Sequence, residues 1–439
     1  MVKEDGATDT ALPLSEIPLQ SPPPPDGGFE AWAQVASGHL ILALTWGYVS
    51  SFGVFQSYYE TTLPQSASDI SWIGGVQVFS LLFISTLSGR ATDAGFARPM
   101  ILTGSIFMLV GTFMTSLATT YWQLFLAQGV CIGIGQGLMW LPSVTVISTY
   151  FAKKRVFAVT TAATGTSTGG MIFPAVIQHL TPKIGFPWAV RCMGLIVLVM
   201  VILINLLVRT RLPPRKSGPL IEWTAFKDTS YMLFTFGVFL LYWTLYFAFF
   251  YVRSSVLRDW LAILTDFFQI QVYATDELGL SQAAGVNLII IINAAGMMIR
   301  APCGYLADRW IGPLNSLIPW VALCGILIYC WAAVHSVAEL YVFAVFYGLA
   351  SAAAMGLFAG TVPSLTKDIS KIGTRVGMVL TLTSIGPLTG PSVAGALIAD
   401  AGGNYLPAQI WAGTSLLVAT AALIAARVLA SGWQFRVKM

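Results

Sequence analysis

The chain has 439 residues, of which 56% are hydrophobic and only 10% are charged. An average soluble domain carries roughly 25% charged residues, so a soluble fold of this size could not cover its surface with so few charges. The net charge of +4 is modest, and no interleaved aromatic and basic motif for nucleic acid is present. The composition therefore predicts that lipid surrounds most of the chain and argues against a nucleic-acid partner.

Residues 1–28 are polar and include a run of four prolines at 22–25. They contain no basic stretch followed by an apolar core, so a cleaved signal peptide is not indicated. We predict a disordered cytosolic tail whose proline run acts as a stiff spacer.

Twelve segments are apolar over the roughly 20 residues that a helix needs to cross the hydrocarbon core. They predict an all-α membrane protein with six-helix bundles at 29–208 and 230–430, a cytosolic loop at 209–229 and a short cytosolic tail at 431–439. The predicted spans are 32–58, 70–89, 100–118, 121–149, 157–180, 186–208, 231–251, 283–307, 317–334, 340–365, 376–399 and 407–429.

Lysine and arginine set the predicted orientation, because positively charged loops stay in the cytosol. Basic residues follow every second span, which places these loops on one side together with both termini. The opposite side is mostly acidic, with four basic exceptions. We therefore expect a multi-pass protein of the cell membrane, with the vacuolar membrane as the alternative. The exceptions are Lys183, Arg191, Arg253 and Arg258.

A short charged motif occurs once in each half, at 89–99 and at 304–313. Each copy has a Gly, three residues, an Asp, then Gly and Pro with an Arg nearby, and each lies between two apolar stretches. A Pro-Ser pair at 142–143 recurs at 363–364 with a similar offset, and Arg155 and Arg375 follow these pairs. The repeats indicate that one six-helix unit was copied, as in transporters whose two halves enclose a central path.

These loops resemble those of the major facilitator superfamily, and further motifs resemble its monocarboxylate-porter family, especially the fungal members. The resemblance extends from Asp26 to Arg427. It implies a twelve-helix carrier that works by alternating access, binds a substrate carboxylate through Arg300 and couples transport to protons. The further motifs lie at 26–32, 46–47, 51–56, 150–155, 293–295, 372–378 and 388–391.

Arg300 is the sharpest candidate for substrate binding. It precedes Asp308 by eight residues, which places it about 12 Å deeper along the helix. An Arg within a span costs about 2.5–3.5 kcal/mol on insertion scales, so it normally faces a cavity or a partner. Its planar guanidinium can hold a carboxylate through two hydrogen bonds. An ion pair within the bundle and snorkelling to the interface are the alternatives.

The sequence departs from the animal members of this family at two points. Gly296 stands where they carry an Asp, and His39 is the one basic residue in the first span, where they carry a Lys. No Asp or Glu lies at mid-depth in a predicted span, although proton coupling usually needs a titratable group there. His39 is therefore the candidate for proton coupling, with a packed, hydrogen-bonded histidine as the alternative.

Two further groups of residues are candidates by position. Polar and aromatic residues within spans are predicted to line the path and would suit a larger, partly apolar solute. They are Trp46, Tyr48, Gln136, Tyr242, Trp243, Tyr246 and Asn293. Residues of the repeated motifs are predicted to form a gating latch, with topological anchoring as the alternative. They are Gly89, Asp93, Arg98, Arg155, Gly304, Asp308, Arg309 and Arg375.

The predicted function is secondary-active transport of a small organic acid or a carboxylate-bearing secondary metabolite by a functional monomer. No nucleotide-binding loop is present, and we expect no cofactor, metal or covalent chemistry. Uptake or facilitated passage of another small solute is one alternative, and a non-transporting membrane sensor is another. An integral-membrane enzyme is disfavoured because His39, His179 and His335 are scattered along the chain.

The segment at 252–269 interrupts the expected run from the seventh span into its outer loop and contains four charged residues. Without it, the flanking residues 249–251 and 270–274 join into the continuation that resembles the family. Its ends can be encoded by splice-site-like sequences, and its Leu-Thr-Asp by a branch-point-like sequence, so we predict a retained intron translated in frame. A genuine amphipathic outer helix is the alternative. Sequencing the spliced transcript should yield a message without these codons, and a functional product that contains them would contradict this prediction.

Overall fold

The computed structural model describes residues 23–65, 67–211, 221–249, 282–334, 336–365, 372–402 and 404–432. Within these ranges the chain is helical and contains no β-strand. The predicted tail over 1–22, the segment at 252–269 and the side chain of Tyr246 lie outside the described residues.

Twelve helices cover the described ranges, which confirms the predicted all-α membrane fold. Asp69–Thr115 is one apolar stretch of 47 residues, but it turns back at Gly95 and so crosses twice. The helices are α1 (Phe29–Thr62), α2 (Ala67–Ala91), α3 (Ala97–Thr115), α4 (Tyr121–Tyr150), α5 (Arg155–Ile184), α6 (Phe186–Leu207), α7 (Thr229–Phe249), α8 (Gln282–Leu306), α9 (Pro313–Trp331), α10 (Val337–Leu365), α11 (Ile372–Asp400) and α12 (Leu406–Ser431).

Both copies of the charged motif form a π-helical turn and contain a glycine with a positive φ angle. A π-helical turn follows α2 at Thr92–Phe96 and another follows α8 at Ala307–Ile311. The chain then reverses at Gly95 and Gly312, whose φ angles are 92° and 90°. Glycine adopts this left-handed backbone without steric cost, which explains why each copy of the motif needs a glycine here.

Glycines in α5 allow its backbone to touch that of α1. A β-carbon on Gly165 would collide with the carbonyl oxygen of His39, and one on Gly169 would collide with that of Ala43. Gly47 of α1 is equally close to the backbone of Gly169. Small residues allow such close helix packing in lipid, where dispersion contacts replace the hydrophobic effect as the source of association.

The two halves, α1–α6 and α7–α12, meet mainly through two helix pairs. α5 packs along α8, and α2 packs along α11. These pairs are related by the sequence repeat, because the second and fifth helices of one half face the fifth and second helices of the other. Any movement of one half against the other must therefore occur at these two junctions.

We predict that Gly169→Ala destabilises the fold, because the added methyl group overlaps the Ala43 backbone and overpacking costs about 1–3 kcal/mol. The thermal unfolding midpoint of the purified protein in detergent should fall. Gly75→Ala is the matched control, since its β-carbon would lie 3.6 Å from Leu388, an ordinary contact. Equal midpoints for the two variants would contradict the close α1–α5 packing.

Candidate functional site

One end of the bundle, here called the basic end, carries the side chains of Arg90, Lys153, Arg209 and Arg309. There Asp308, which follows α8, caps the first turn of α5 in the other half. The backbone N–H of Val156 donates to Asp308 Oδ1 at 3.2 Å, and that of Phe157 donates to Oδ2 at 2.7 Å. A carboxylate at a helix N-terminus satisfies unpaired N–H groups and favours the helix dipole. Asp308 thus forms a charged contact between the halves.

The second junction is bridged by different chemistry. The Thr86 hydroxyl of α2 donates to the Gly377 carbonyl at 2.9 Å and lies 2.9 Å from the Thr381 hydroxyl, both on α11. Arg90 Nη1 donates to the Thr374 hydroxyl at 3.4 Å. Together with the Asp308 cap, these bonds hold the two halves together at the basic end.

The two repeated arginines have different partners. Arg155 donates through Nε to the Phe151 carbonyl of its own half at 3.3 Å. Arg375 pairs with Glu222 at 3.0 Å and with Asp228 at 3.1 Å. The Glu222 side chain is only 6% exposed, so this ion pair is shielded from water. Sequence reasoning missed both acids, because acidic residues in a loop carry no signal for their distant partner.

The other latch candidates are arranged as follows. Gly89 and Gly304 are buried against the side chains of Leu141 and Thr160, so α8 approaches α5 closely at Gly304. Asp93 is half-buried and Arg98 is exposed. Arg309 is exposed and lies over the ring of Trp310 at 5.6 Å.

Asp26, the first residue of the 26–32 motif, attaches the chain ahead of α1 to the α4–α5 loop. Its Oδ1 accepts from the backbone N–H groups of Ala152 at 2.7 Å and Lys153 at 2.8 Å. Desolvation alone would raise the pKa of this carboxyl, but the backbone donors outweigh it and hold the pKa below its usual value. Asp26 therefore stays ionised and fastened to the loop at neutral pH.

Arg300 is buried, with 4% of its surface exposed. Its Nη1 lies 3.8 Å from the position of a β-carbon on Gly356 of α10, and Thr160 of α5 borders the same space. Arg300 also lies close enough to Tyr242 of α7 to act electrostatically on its hydroxyl. The guanidinium therefore stands where both halves meet, and such burial does not fit snorkelling to the interface.

Two of the predicted aromatic residues meet across the halves. The rings of Trp46 on α1 and Tyr242 on α7 are 6.3 Å apart. Each has a further aromatic neighbour that the sequence analysis did not select: Trp140 lies 5.4 Å from Trp46, and Phe358 lies 5.6 Å from Tyr242. All four side chains are buried.

Asn293 and Gln136 make contacts that fix helices to each other. A β-carbon on Gly170 of α5 would overlap the amide of Asn293, and the Asn293 Nδ2 donates to the Ile289 carbonyl at 2.9 Å. Gln136 Nε2 donates to the carbonyls of Leu44 and Thr45 at 3.1 and 3.2 Å. These carbonyls belong to a π-helical turn, so Gln136 supports an irregular stretch of α1.

The remaining candidates lie apart from Arg300 and the Trp46–Tyr242 contact. Tyr48 packs against Phe55 and Phe173 inside the first half. Trp243 packs against Phe239 and Trp411 inside the second half. His39 Nδ1 lies 3.0 Å from the Thr164 hydroxyl of α5. These contacts are all local to one half.

Residues 35–319 match the family description of the Major Facilitator Superfamily. The chain belongs to this superfamily. It is 39% identical over 406 residues to an "MFS-type transporter" of Gibberella zeae, covering 92% of this chain and 88% of the relative. It is 34% identical over 419 residues to the "Aspyridones efflux protein apdF" of Emericella nidulans, covering 95% and 81%. The fold is similar to that of the human organic anion transporter MFSD10 (TETRAN), with a TM-score of 0.67, 14% identity and coverage of 90% and 100%.

Because the protein belongs to the major facilitator superfamily, it is a transporter. The contacts between its two halves then have a role in the transport cycle. A carrier of this fold moves its halves about a central site, so bonds across the basic end must form and break. Gly296 faces Ala352 and Ser167, and a β-carbon there would stand 2.7 Å from that of Ala352. Gly296 therefore leaves no room for a longer side chain such as that of Asp.

We predict that Asp308→Ala weakens closure of the basic end, because losing a helix cap costs about 1 kcal/mol, or about fivefold in population. Spin labels on cysteines introduced at Lys154 and Ile311 should report a larger fraction of long inter-half distances. Glu339→Ala is the matched control, since Glu339 accepts from the backbone of Ser336 within one half. Unchanged distances in the Asp308 variant would exclude a latch at this position.

Proposed function

We propose that this transporter exports a carboxylate-bearing secondary metabolite by alternating access, as a monocarboxylate-porter type of the superfamily. The buried guanidinium of Arg300 at the junction of α5, α8 and α10 carries this proposal. The printed name of the Emericella nidulans relative, an aspyridones efflux protein, supports outward movement of a secondary metabolite.

Arg300 suits a carboxylate because its fork of donors matches two carboxylate oxygens. Away from bulk water the attraction between a guanidinium and an anionic substrate is screened less, so it is stronger than on the protein surface. Substrate binding therefore favours whichever conformation exposes the guanidinium to the path. Because α5 and α8 belong to different halves, the bound acid would be contacted from both sides of the moving junction.

The bonds between the halves at the basic end are weak enough to form and break in each transport cycle. A helix cap contributes about 1 kcal/mol, and a neutral hydrogen bond about 0.5–1.5 kcal/mol. The Asp308 cap and the Thr86 contacts together fall in the range that substrate binding can shift. We propose that the motif residues Asp93, Arg98, Arg155, Arg309 and Arg375 tune this equilibrium from the same end.

The proposal also includes the orientation of the protein in the membrane and the ion whose movement is coupled to transport. The basic end faces the cytosol of the cell membrane, because lysine and arginine are retained there. The protein works as a monomer, and the coupled ion is the proton that the monocarboxylate-porter resemblance implies. His39 is the proposed proton carrier, since its imidazole can exchange a proton and lies beside Thr164 at the α1–α5 contact.

We predict that Arg300→Lys lowers transport of radiolabelled benzoate in proteoliposomes about tenfold and that Arg300→Ala lowers it about a hundredfold. Lysine keeps the charge but cannot donate two parallel hydrogen bonds as a guanidinium does. The relative transport rates of the two variants therefore test whether Arg300 binds a carboxylate through two hydrogen bonds. Arg427→Lys is the matched control: Arg427 is also buried, but it bonds Asn315 and the Gly432 carbonyl within one half. Normal benzoate transport by both Arg300 variants would refute carboxylate binding there.

A further inference from the structure

Four aromatic rings form a continuous line through the centre of the bundle, here called the aromatic bridge. It runs from Trp140 on α4 to Trp46 on α1, then to Tyr242 on α7 and Phe358 on α10. Successive ring centroids are 5.4, 6.3 and 5.6 Å apart. These spacings fall within the range in which aromatic rings attract each other.

The bridge crosses the boundary between the halves at the contact of Trp46 with Tyr242. Trp46 and Trp140 belong to the first half, whereas Tyr242 and Phe358 belong to the second. The first and fourth helices of one half thus face the first and fourth helices of the other. The backbones of α1 and α7 do not pack on each other in the described residues. The space between these helices is filled by rings and not by close backbone contact.

All four rings are 5% exposed or less, so the bridge excludes water at this level of the bundle. A solute that passes between these four helices must separate Trp46 from Tyr242, the ring contact that joins the two parts of the bridge. Arg300 Nη1 lies 3.8 Å from the position of a β-carbon on Gly356, which precedes Phe358 of the bridge by two residues on α10. A carboxylate held by Arg300 would therefore present the adjoining part of its molecule to the parted rings.

We propose that the aromatic bridge is both the central gate of the path and its specificity determinant, selecting acids in which a flat aromatic or conjugated group adjoins the carboxylate. This inference rests on the function proposed above and names its substrate class. A flat aromatic ring entering between Trp46 and Tyr242 replaces the ring–ring contact that opening breaks. A puckered aliphatic ring of the same size fills the space but restores less of that attraction.

Four probes of equal ring size separate the two elements of recognition. Benzoate and cyclohexanecarboxylate are both anions at neutral pH and differ in flatness, and benzamide and cyclohexanecarboxamide are their uncharged counterparts. Titration calorimetry on the purified full chain in detergent measures each affinity. An aromatic contact of about 0.5–1.5 kcal/mol corresponds to about two- to tenfold, so benzoate should bind more tightly than cyclohexanecarboxylate by that factor.

Substitutions in the bridge test which residues cause the preference for benzoate over cyclohexanecarboxylate. Tyr242→Leu and Trp46→Leu should each abolish the preference for benzoate over cyclohexanecarboxylate, whereas Tyr242→Phe keeps the ring and should retain it. Phe83→Leu is the matched control, because Phe83 stacks on Phe79 at 5.6 Å on an exposed face of α2. Retention of the preference in both leucine variants would overturn the proposal.

The outcomes distinguish this inference from the proposed function. Equal affinity for the two acids overturns the role of the bridge and leaves the Arg300 site standing. Equal affinity for benzoate and benzamide, with both above their cyclohexyl counterparts, supports the bridge and refutes the carboxylate site. Absence of binding by all four probes overturns the inference, and the transport assay on Arg300 then decides the proposed function separately.

Discussion

Lipid offers no hydrogen bonds, so every backbone group that leaves the regular helix ladder must find a partner inside the protein. This constraint explains the polar contacts of the bundle. Gln136 bonds the carbonyls of the π-helical turn in α1. Asp308 bonds the free N–H groups at the start of α5, and because it comes from the other half, satisfying the backbone also joins the halves. A transporter that must break such a bond needs a replacement partner in its other state, which water provides at the basic end.

The sequence predicted the features that depend on local chemistry. Length and apolarity predicted the twelve helices, and the paired Gly and Asp residues predicted equivalent turns at Gly95 and Gly312. The cost of a charge in lipid predicted that Arg300 would face a cavity or a partner; its side chain is buried. These predictions needed no knowledge of which helices are neighbours.

The rest depended on tertiary placement. Membrane helices are apolar on every side, so periodicity does not show which face meets lipid and which meets the path. Trp140 and Phe358 therefore could not be distinguished from lipid-facing rings, and Tyr48 and Trp243 were selected although each packs within one half. Repeat symmetry was also an incomplete guide, because Arg155 bonds its own loop whereas Arg375 pairs with two acids.

The Arg375 ion pairs have a mechanical consequence for the covalent tether between the halves. Glu222 and Asp228 attach the chain to the second half from Glu222 onwards, while Arg211 attaches it to the first half through the Thr149 carbonyl. The chain from Arg211 to Glu222 spans eleven residue steps, which reach at most about 40 Å when fully extended. While both anchor points hold, the separation of the two halves at the basic end cannot exceed the reach of this segment. Lengthening or shortening the segment would therefore change the maximum opening without changing the binding site.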